Sequence, residues 1–306
     1  MIAQKRDVVV MGGSAGSLEG LHLALSGLRG DFPGMIFVVI HMPAHGTTNL
    51  DELVRRWTTF PAAFAQSDQT VRPGQIYIAP PDRHLIIGRD HVHLSRGPKE
   101  GLHRPSINVT FRSAASAYSE RVVGVVFSGL LDDGAAGLWE IARHGGVTII
   151  QDLNEARFPS MPSAALGSTP LNYQLRAADM APMLLNLASG KETAQMQHPL
   201  PEPEQPDNFS GFTCPECRGP LYRTSETPAE FRCRVGHVFG LESLVEDSLS
   251  TRERKMYEAI VALEEGADLS EFAANKQPHR NGNLKREAAE LRKQAGEIRK
   301  LIENQT

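Results

Sequence analysis

The chain opens on a β-branched run, Val8 to Met11, followed at once by the small residues Gly12-Gly13-Ser14-Ala15-Gly16. Leu18, Leu21, Ala24, Leu25 and Leu28 then recur at helical spacing. A second unbroken apolar run, Met35 to Ile40, precedes Leu50, Leu53, Val54 and Trp57, again at helical spacing. Strands that are continuously apolar, each followed by an amphipathic helix, predict a mainly parallel sheet buried on both faces. Short strands at Ile76 to Ala79, Leu85 to Ile87 and Val92 to Leu94 are separated by turn residues and read as a small antiparallel excursion. The α/β alternation resumes with a helix over Pro105 to Tyr118 and a strand over Val122 to Phe127. A helix over Ala135 to Arg143, a strand over Val147 to Ile150 and a helix over Ala178 to Ala188 complete it. The expected fold class is α/β, doubly wound, with a smaller C-terminal module.

The pattern changes at Lys191. Residues 191–208 carry Pro199, Pro201, Pro203 and Pro206 among Glu and Gln and show no apolar periodicity, which is a linker composition. A compact element is expected over residues 209–240 and a helical tail over 241–306. In the tail, Leu241, Leu244, Val245, Leu249, Met256, Ile260 and Leu263 fall roughly on one helical face. Gly266 to Asn283 reads as a polar break. Leu284, Ala288, Leu291, Ala295, Ile298 and Ile302 then form a seam suited to a short coiled coil or one arm of a hairpin. The boundaries are therefore 1–190, 191–208, 209–240 and 241–306.

Composition narrows the picture. With 306 residues, 41% hydrophobic and 22% charged, the chain can build a core. A net charge of −4 argues against a nucleic-acid binder held by phosphate contacts. No apolar run is long enough to span a bilayer, and the first residues carry no secretory pattern. Three cysteines are too few for a disulfide framework. A cytoplasmic setting is expected, with no direct membrane insertion.

The segment from Gly12 to Gly16 has the form G-x-S-x-G between a strand and a helix. Such a turn pushes the Ser14 hydroxyl out at the strand end and points helix N–H groups at a developing oxyanion. A plain Gly-rich turn or a phosphate cradle is the alternative, although the G-x-G-x-x-G spacing of dinucleotide sites does not fit. A serine hydroxyl needs a base. Of the 11 histidines, His41 directly follows the run Met35 to Ile40 and so falls at a strand's carboxyl end, where α/β sheets bind ligands. His22 reads as structural, and His91 and His93 as surface residues. The strand ending at Phe127 leads into Ser128-Gly129-Leu130-Leu131-Asp132-Asp133-Gly134. Asp132 and Asp133 are both candidates to orient the base, or to cap the helix that follows. The chain order Ser, His, Asp differs from that common in α/β-hydrolases.

From about Val8 to Ala188 the chain resembles the catalytic domain of chemotaxis protein-glutamate methylesterases, the CheB family. The resemblance rests on Gly12 to Gly16, His41-Met42-Pro43, Pro73 to Pro80, Arg104-Pro105-Ser106, Gly129 to Gly137 and Met161-Pro162. It implies Ser14 as nucleophile, His41 as general base and Asp133 as orienting carboxylate. Backbone N–H groups near Ala15 and Leu130 would bind the oxyanion. The implied reaction is hydrolysis of γ-glutamyl methyl esters on chemoreceptors with release of methanol, and in some members deamidation of glutamine. There are departures. Ala15-Gly16-Ser17 stands where the family usually has Thr-Gly-Gly, Asn108 where Asp is usual, and Leu130-Leu131 where Met-Gly is usual. The family usually begins with a receiver domain. Here the first catalytic strand starts within ten residues of Met1, so activation by a receiver in the same chain is not expected.

Cys214, Cys217, Cys233 and His237 have the spacing C-x2-C-x15-C-x3-H and include every cysteine of the chain. A tight knuckle facing a second ligand pair suits tetrahedral zinc, and four protein ligands imply a structural role. The expectation is a zinc-ribbon-like element, with no cofactor for catalysis. A redox C-x-x-C lacks the βαβ context it would need. Two other functions stand beside the esterase: a catalytically weakened signalling scaffold, and a serine hydrolase for a substrate outside chemotaxis. The expected partner is a methylated receptor, and the tail is a candidate for binding a partner helix or for self-association.

Overall fold

The structure is a computed structural model that describes residues 5–28, 32–44, 48–191, 208–276 and 281–304. Most of the proline-rich segment expected at 191–208 lies outside the described residues. The elements are β1 (Val8–Gly13), α1 (Ser17–Ser26), β2 (Met35–Ile40), α2 (Leu50–Trp57), β3 (Ala62–Phe64), β4 (Gln69–Thr70), β5 (Ile76–Ile78), β6 (His84–Ile87) and β7 (His91–Ser95). There follow α3 (Ile107–Tyr118), β8 (Val122–Val126), α4 (Ala135–Arg143), β9 (Val147–Gln151), α5 (Ser160–Ser168), β10 (Tyr173–Leu175) and α6 (Ala177–Ala188). The C-terminal part contains β11 (Asn208–Thr213), β12 (Pro220–Glu226), β13 (Ala229–Cys233), β14 (Val238–Gly240), α7 (Leu241–Lys276) and α8 (Asn281–Glu303).

The main sheet has the order β10-β9-β8-β1-β2-β5-β3, and all its pairs are parallel. Successive residues of β1 alternate between two cores. Val9 and Met11 meet α1, α2 and α6 on one face, while Val8 and Val10 meet α3, α4 and α5 on the other. This double burial is why the strands read as continuous apolar runs. The antiparallel excursion is composed differently from the prediction: β4, β6 and β7 form it. Ile76–Ile78 instead pairs in parallel with β2 and belongs to the main sheet. The direction reverses at β1, which has β2 on one side and β8 on the other. This reversal opens a crevice at the strands' carboxyl ends.

β11 to β14 form a four-stranded antiparallel sheet around Leu221, Phe231 and Phe239. The chain divides into two compact units, Met1–Leu244 and Val245–Thr306, so this small sheet falls in one unit with the large one. In the second unit α7 and α8 run antiparallel, with Ile260, Ala267, Ala274, Ala288 and Ala295 buried. Arg292 pairs with Asp268 and Glu271, and Arg299 with Glu264. α7 continues through Gly266 to Lys276, where the sequence predicts a break. Gly266 lies against Leu291, so the missing side chain permits close helix approach. No described helix is long and apolar enough to cross a membrane.

α3 lies on β8 and α4 through Phe111, which is fully buried and fills the space beside Gly124 and Gly137. Phe111→Ala is expected to cost about 3–5 kcal/mol of stability in urea unfolding of the full chain. A loss well below about 1 kcal/mol would mean that α3 does not depend on this contact.

Candidate active site and metal centre

Three neighbouring strands, β8, β1 and β2, each deliver one residue to the crevice. β1 ends at Gly13, and the chain turns so tightly that Ser14 N–H donates to Ser128 O (3.0 Å) and Ser17 N–H to Ser14 O (3.1 Å). Gly16 is the hinge of this turn. Its φ of 73° is left-handed, and a Cβ there would strike Phe158 and the Ser128 hydroxyl. His41 follows β2 directly, and its N–H donates to Gly13 O (3.1 Å), tying it to the serine turn. Asp133 lies in the loop after β8.

Asp133 Oδ2 accepts from His41 Nε2 at 2.8 Å, and Ser14 Oγ lies 3.2 Å from His41 Nδ1. With Nε2–H donating to the carboxylate, the Nδ1 lone pair faces the serine. The ring is used in the opposite sense from the common serine-protease arrangement, in which Nε2 faces the serine. Asp133 is 2% exposed, and it sits at the N-terminus of α3. It accepts from Ser106 Oγ (2.9 Å), Ile107 N (2.7 Å) and Asn108 N (3.0 Å). Burial opposes its charge. The His41 hydrogen bond, the facing imidazoles and the helix N–H groups overcome that, and hold the carboxyl well below the usual carboxylate range.

Asp132 and Asp133 separate in role. Asp132 accepts from Ser243 Oγ (2.5 Å) and Glu242 N (3.0 Å) and so meets the first turn of α7 rather than His41. Burial raises its carboxyl above the ordinary value. Asn108, where Asp is usual, accepts from Gly134 N (3.0 Å) and Gly137 N (2.7 Å) through Oδ1. It joins α3 to the start of α4, a task that needs only a carbonyl-type oxygen. Among the described residues the N–H groups of Ala15 and Leu130 have no hydrogen-bond partner. Leu130 is half exposed, on a loop underlain by Met161, whose N–H donates to Gly129 O (3.0 Å). His91 and His93 are exposed, and His22 packs on Trp57 at 5.0 Å between ring centres.

Two further histidines meet the site. His103 stacks flat on His41, with ring centres 3.6 Å apart and planes 10° off parallel. His84 is buried and donates from Nε2 to Pro98 O (2.9 Å), while its Nδ1 accepts from Ser106 N (3.2 Å). Burial lowers the proton affinity of both rings. No local spacing announces either residue, because both reach the site through long-range packing.

The profile of the family described as "CheB methylesterase" matches residues 9–184. The chain belongs to the CheB methylesterase family. It is 30% identical over 182 residues to a "Putative protein-glutamate methylesterase/protein-glutamine glutaminase" of Leptospira interrogans, covering 59% of this chain and 94% of that one. A "Protein-glutamate methylesterase/protein-glutamine glutaminase 5" of Anaeromyxobacter dehalogenans is 37% identical over 184 residues, covering 59% of this chain and 51% of that protein. Several such relatives are matched over only about half their length. The "CheB methylesterase catalytic domain" of Thermotoga maritima superposes with a TM-score of 0.58 at 28% identity, covering 60% of this chain and 100% of the other. The CheB domain is thus a hydrolase domain on an α/β scaffold, and the segments after it lie outside these matches.

In that C-terminal part Cys214, Cys217, Cys233 and His237 bring their ligand atoms within 4.8 Å of one another, close enough to hold a metal ion. Cys217 and Cys233 sulfurs are 3.5 Å apart, and His237 Nδ1 lies 3.5 Å from Cys233 Sγ and 3.7 Å from Cys214 Sγ. Those separations fit the edges of a tetrahedron with bonds of about 2.1–2.3 Å.

The depressed Asp133 carboxyl has a consequence for stability. A carboxylate held below its unfolded value contributes stability that is present above about pH 4 and is lost as pH falls through the folded value. The difference in unfolding free energy between the native chain and Asp133→Asn is therefore expected to be largest near neutrality. It should shrink below about pH 4. Urea titrations of both proteins across that range check this, and a pH-independent difference would contradict it.

Proposed function

We propose that this CheB domain hydrolyses γ-glutamyl methyl esters of chemoreceptor-type proteins, with Ser14 as nucleophile, His41 as general base and Asp133 as the group that orients it. The observation that carries this reading is the unbroken line from Asp133 Oδ2 through His41 Nε2 and Nδ1 to Ser14 Oγ. Ser14 attacks the ester carbonyl while its proton passes to His41 Nδ1. The imidazolium is stabilised by Asp133 across Nε2. The N–H groups of Ala15 and Leu130 point to an oxyanion site. As the bond between the acyl carbon and the methoxy oxygen breaks, His41 returns the proton to that departing oxygen and methanol leaves. Water then attacks the acyl-serine with His41 again as base, restoring Ser14 and leaving a glutamate carboxylate. An amide at the same carbonyl would give ammonia and the same product, which is the deamidase variant.

Ala15 offers no hydroxyl to the oxyanion site, and the donors proposed there are backbone groups. The ion that suits the Cys214, Cys217, Cys233 and His237 set is zinc. The donors are three soft sulfurs and one imidazole, and with four protein ligands no position is open to substrate. Zinc would supply folding free energy to β11–β14 rather than chemistry. Functionally the chain divides at 1–190, 191–208, 209–240 and 241–306, with the helical tail as a surface for a partner helix or a second copy.

With receptor carrying labelled methyl groups, the chain is expected to release labelled methanol, and Ser14→Ala to lower the rate by at least about 10³-fold. Receptor binding without methanol release, unchanged in Ser14→Ala, would instead make the domain a scaffold. Turnover of simple esters alone would move the substrate outside chemotaxis. The purified chain is expected to carry stoichiometric zinc by atomic emission, and Cys217→Ser to lose it. A native chain free of metal after metal-replete expression would overturn that assignment.

A further inference from the structure

The β11–β14 sheet grips the segment Pro98–His103. Val238, the residue after the ligand His237, donates to Lys99 O (3.4 Å) and accepts from Gly101 N (2.8 Å). Gly236, between the ligands Cys233 and His237, lies against Pro98. Lys99 Nζ is 3.1 Å from Glu216, which sits inside the Cys214–Cys217 knuckle. Arg112 of α3 joins Glu100 of the segment to Glu230 of β13.

The segment's tip is a tight turn in which Gly101 and Leu102 both have positive φ, 54° and 69°. His103 N–H donates to Glu100 O (3.0 Å), and His103 Nδ1–H donates to Gly101 O (2.5 Å). A leucine held in the left-handed region persists only where its surroundings fix it. Leu102 has such surroundings, because it packs against the small sheet's core, which is formed by Leu221, Phe231, Phe239 and Leu244 together with Cys214 and Cys233. The next residue, His103, lies flat on His41. One peptide bond therefore separates a side chain packed on the core that contains Cys214 and Cys233 from a ring seated on the imidazole between Ser14 and Asp133. On the opposite flank, Asp132 receives the start of α7 one residue before Asp133.

We propose that the metal-binding sheet is a positioning clamp for the esterase site: the Cys214, Cys217, Cys233 and His237 cluster holds Leu102, and the Leu102 turn holds His103 flat against His41. This rests on the reading of His41 as the general base. The imidazole is fixed along its edge by Asp133 but can still tilt about that bond. A flat neighbour at van der Waals distance removes the tilt and keeps Nδ1 aimed at Ser14. Displacements of about 1 Å in such a constellation cost about 10²-fold in rate. Burial, and then the neighbouring His41, disfavour charge on His103. The metal never meets the substrate. Its effect on the rate passes through packing.

The test uses the full chain, with kcat and KM for methyl ester hydrolysis and the downfield proton resonance of the His41–Asp133 hydrogen bond. Chelation of the native protein and Cys217→Ser are both expected to lower kcat about 10²-fold with little change in KM, and to broaden or remove the downfield resonance. His103→Ala should do the same while retaining metal. His103→Phe, which keeps a flat ring, should restore most of the loss and the resonance. A metal-free chain with full kcat and an unchanged resonance would overturn the clamp, as would equal losses in His103→Phe and His103→Ala. If the native chain releases no methanol, the esterase reading fails. The resonance then decides on the clamp alone, and its survival in metal-free protein refutes it.

Discussion

The organisation of this domain depends on one buried charge. A carboxylate taken out of water without partners costs several kcal/mol, enough to exclude it from a core. Asp133 is tolerated because α3 begins beside it, presenting Ile107 and Asn108 N–H together with the Ser106 hydroxyl, while His41 supplies the remaining donor. This requirement fixes the N-terminus of α3 at the crevice. Asn108 then fixes the start of α4 to α3, and Phe111 locks α3 onto β8 and α4. The same hydrogen bonds that make burial tolerable settle which nitrogen of His41 carries the proton.

The large sheet was legible because double burial leaves an unmistakable trace: β1, β2, β8 and β9 are runs of apolar residues with little polar interruption. Segments of three residues leave no such trace. Ile76–Ile78 therefore reads as part of the excursion that follows it, although its partner is β2. β3 and β10 carried no period at all. α7 outran its expected end because Gly266, a weak helix former in isolation, is compensated by the α8 side chains it packs against. Tertiary context overrode local propensity there.

The crevice was legible for a different reason. Chain topology places the carboxyl ends of adjacent parallel strands together, so residues following three apolar runs had to converge. The cysteine cluster was legible from purely local spacing. What connects the two was not. Nothing in the spacing of Leu102 and His103 reveals that one packs on the small sheet's core and the other on His41. That requires the docking of β14 on Lys99 and Gly101, a contact between segments over 130 residues apart. Asp132 is similar: its neighbour's role was readable from the loop, and its own depended on where α7 begins.

The orientation of His41 also determines where the site is chemically vulnerable. Nδ1, adjacent to the carbon that bears the side-chain stem, faces the serine, while Nε2 lies inward against Asp133. An electrophile that enters from the substrate side therefore meets Nδ1. A substrate-shaped alkylating agent would leave its mark on that nitrogen, the reverse of the regiochemistry in serine hydrolases whose imidazole is turned the other way.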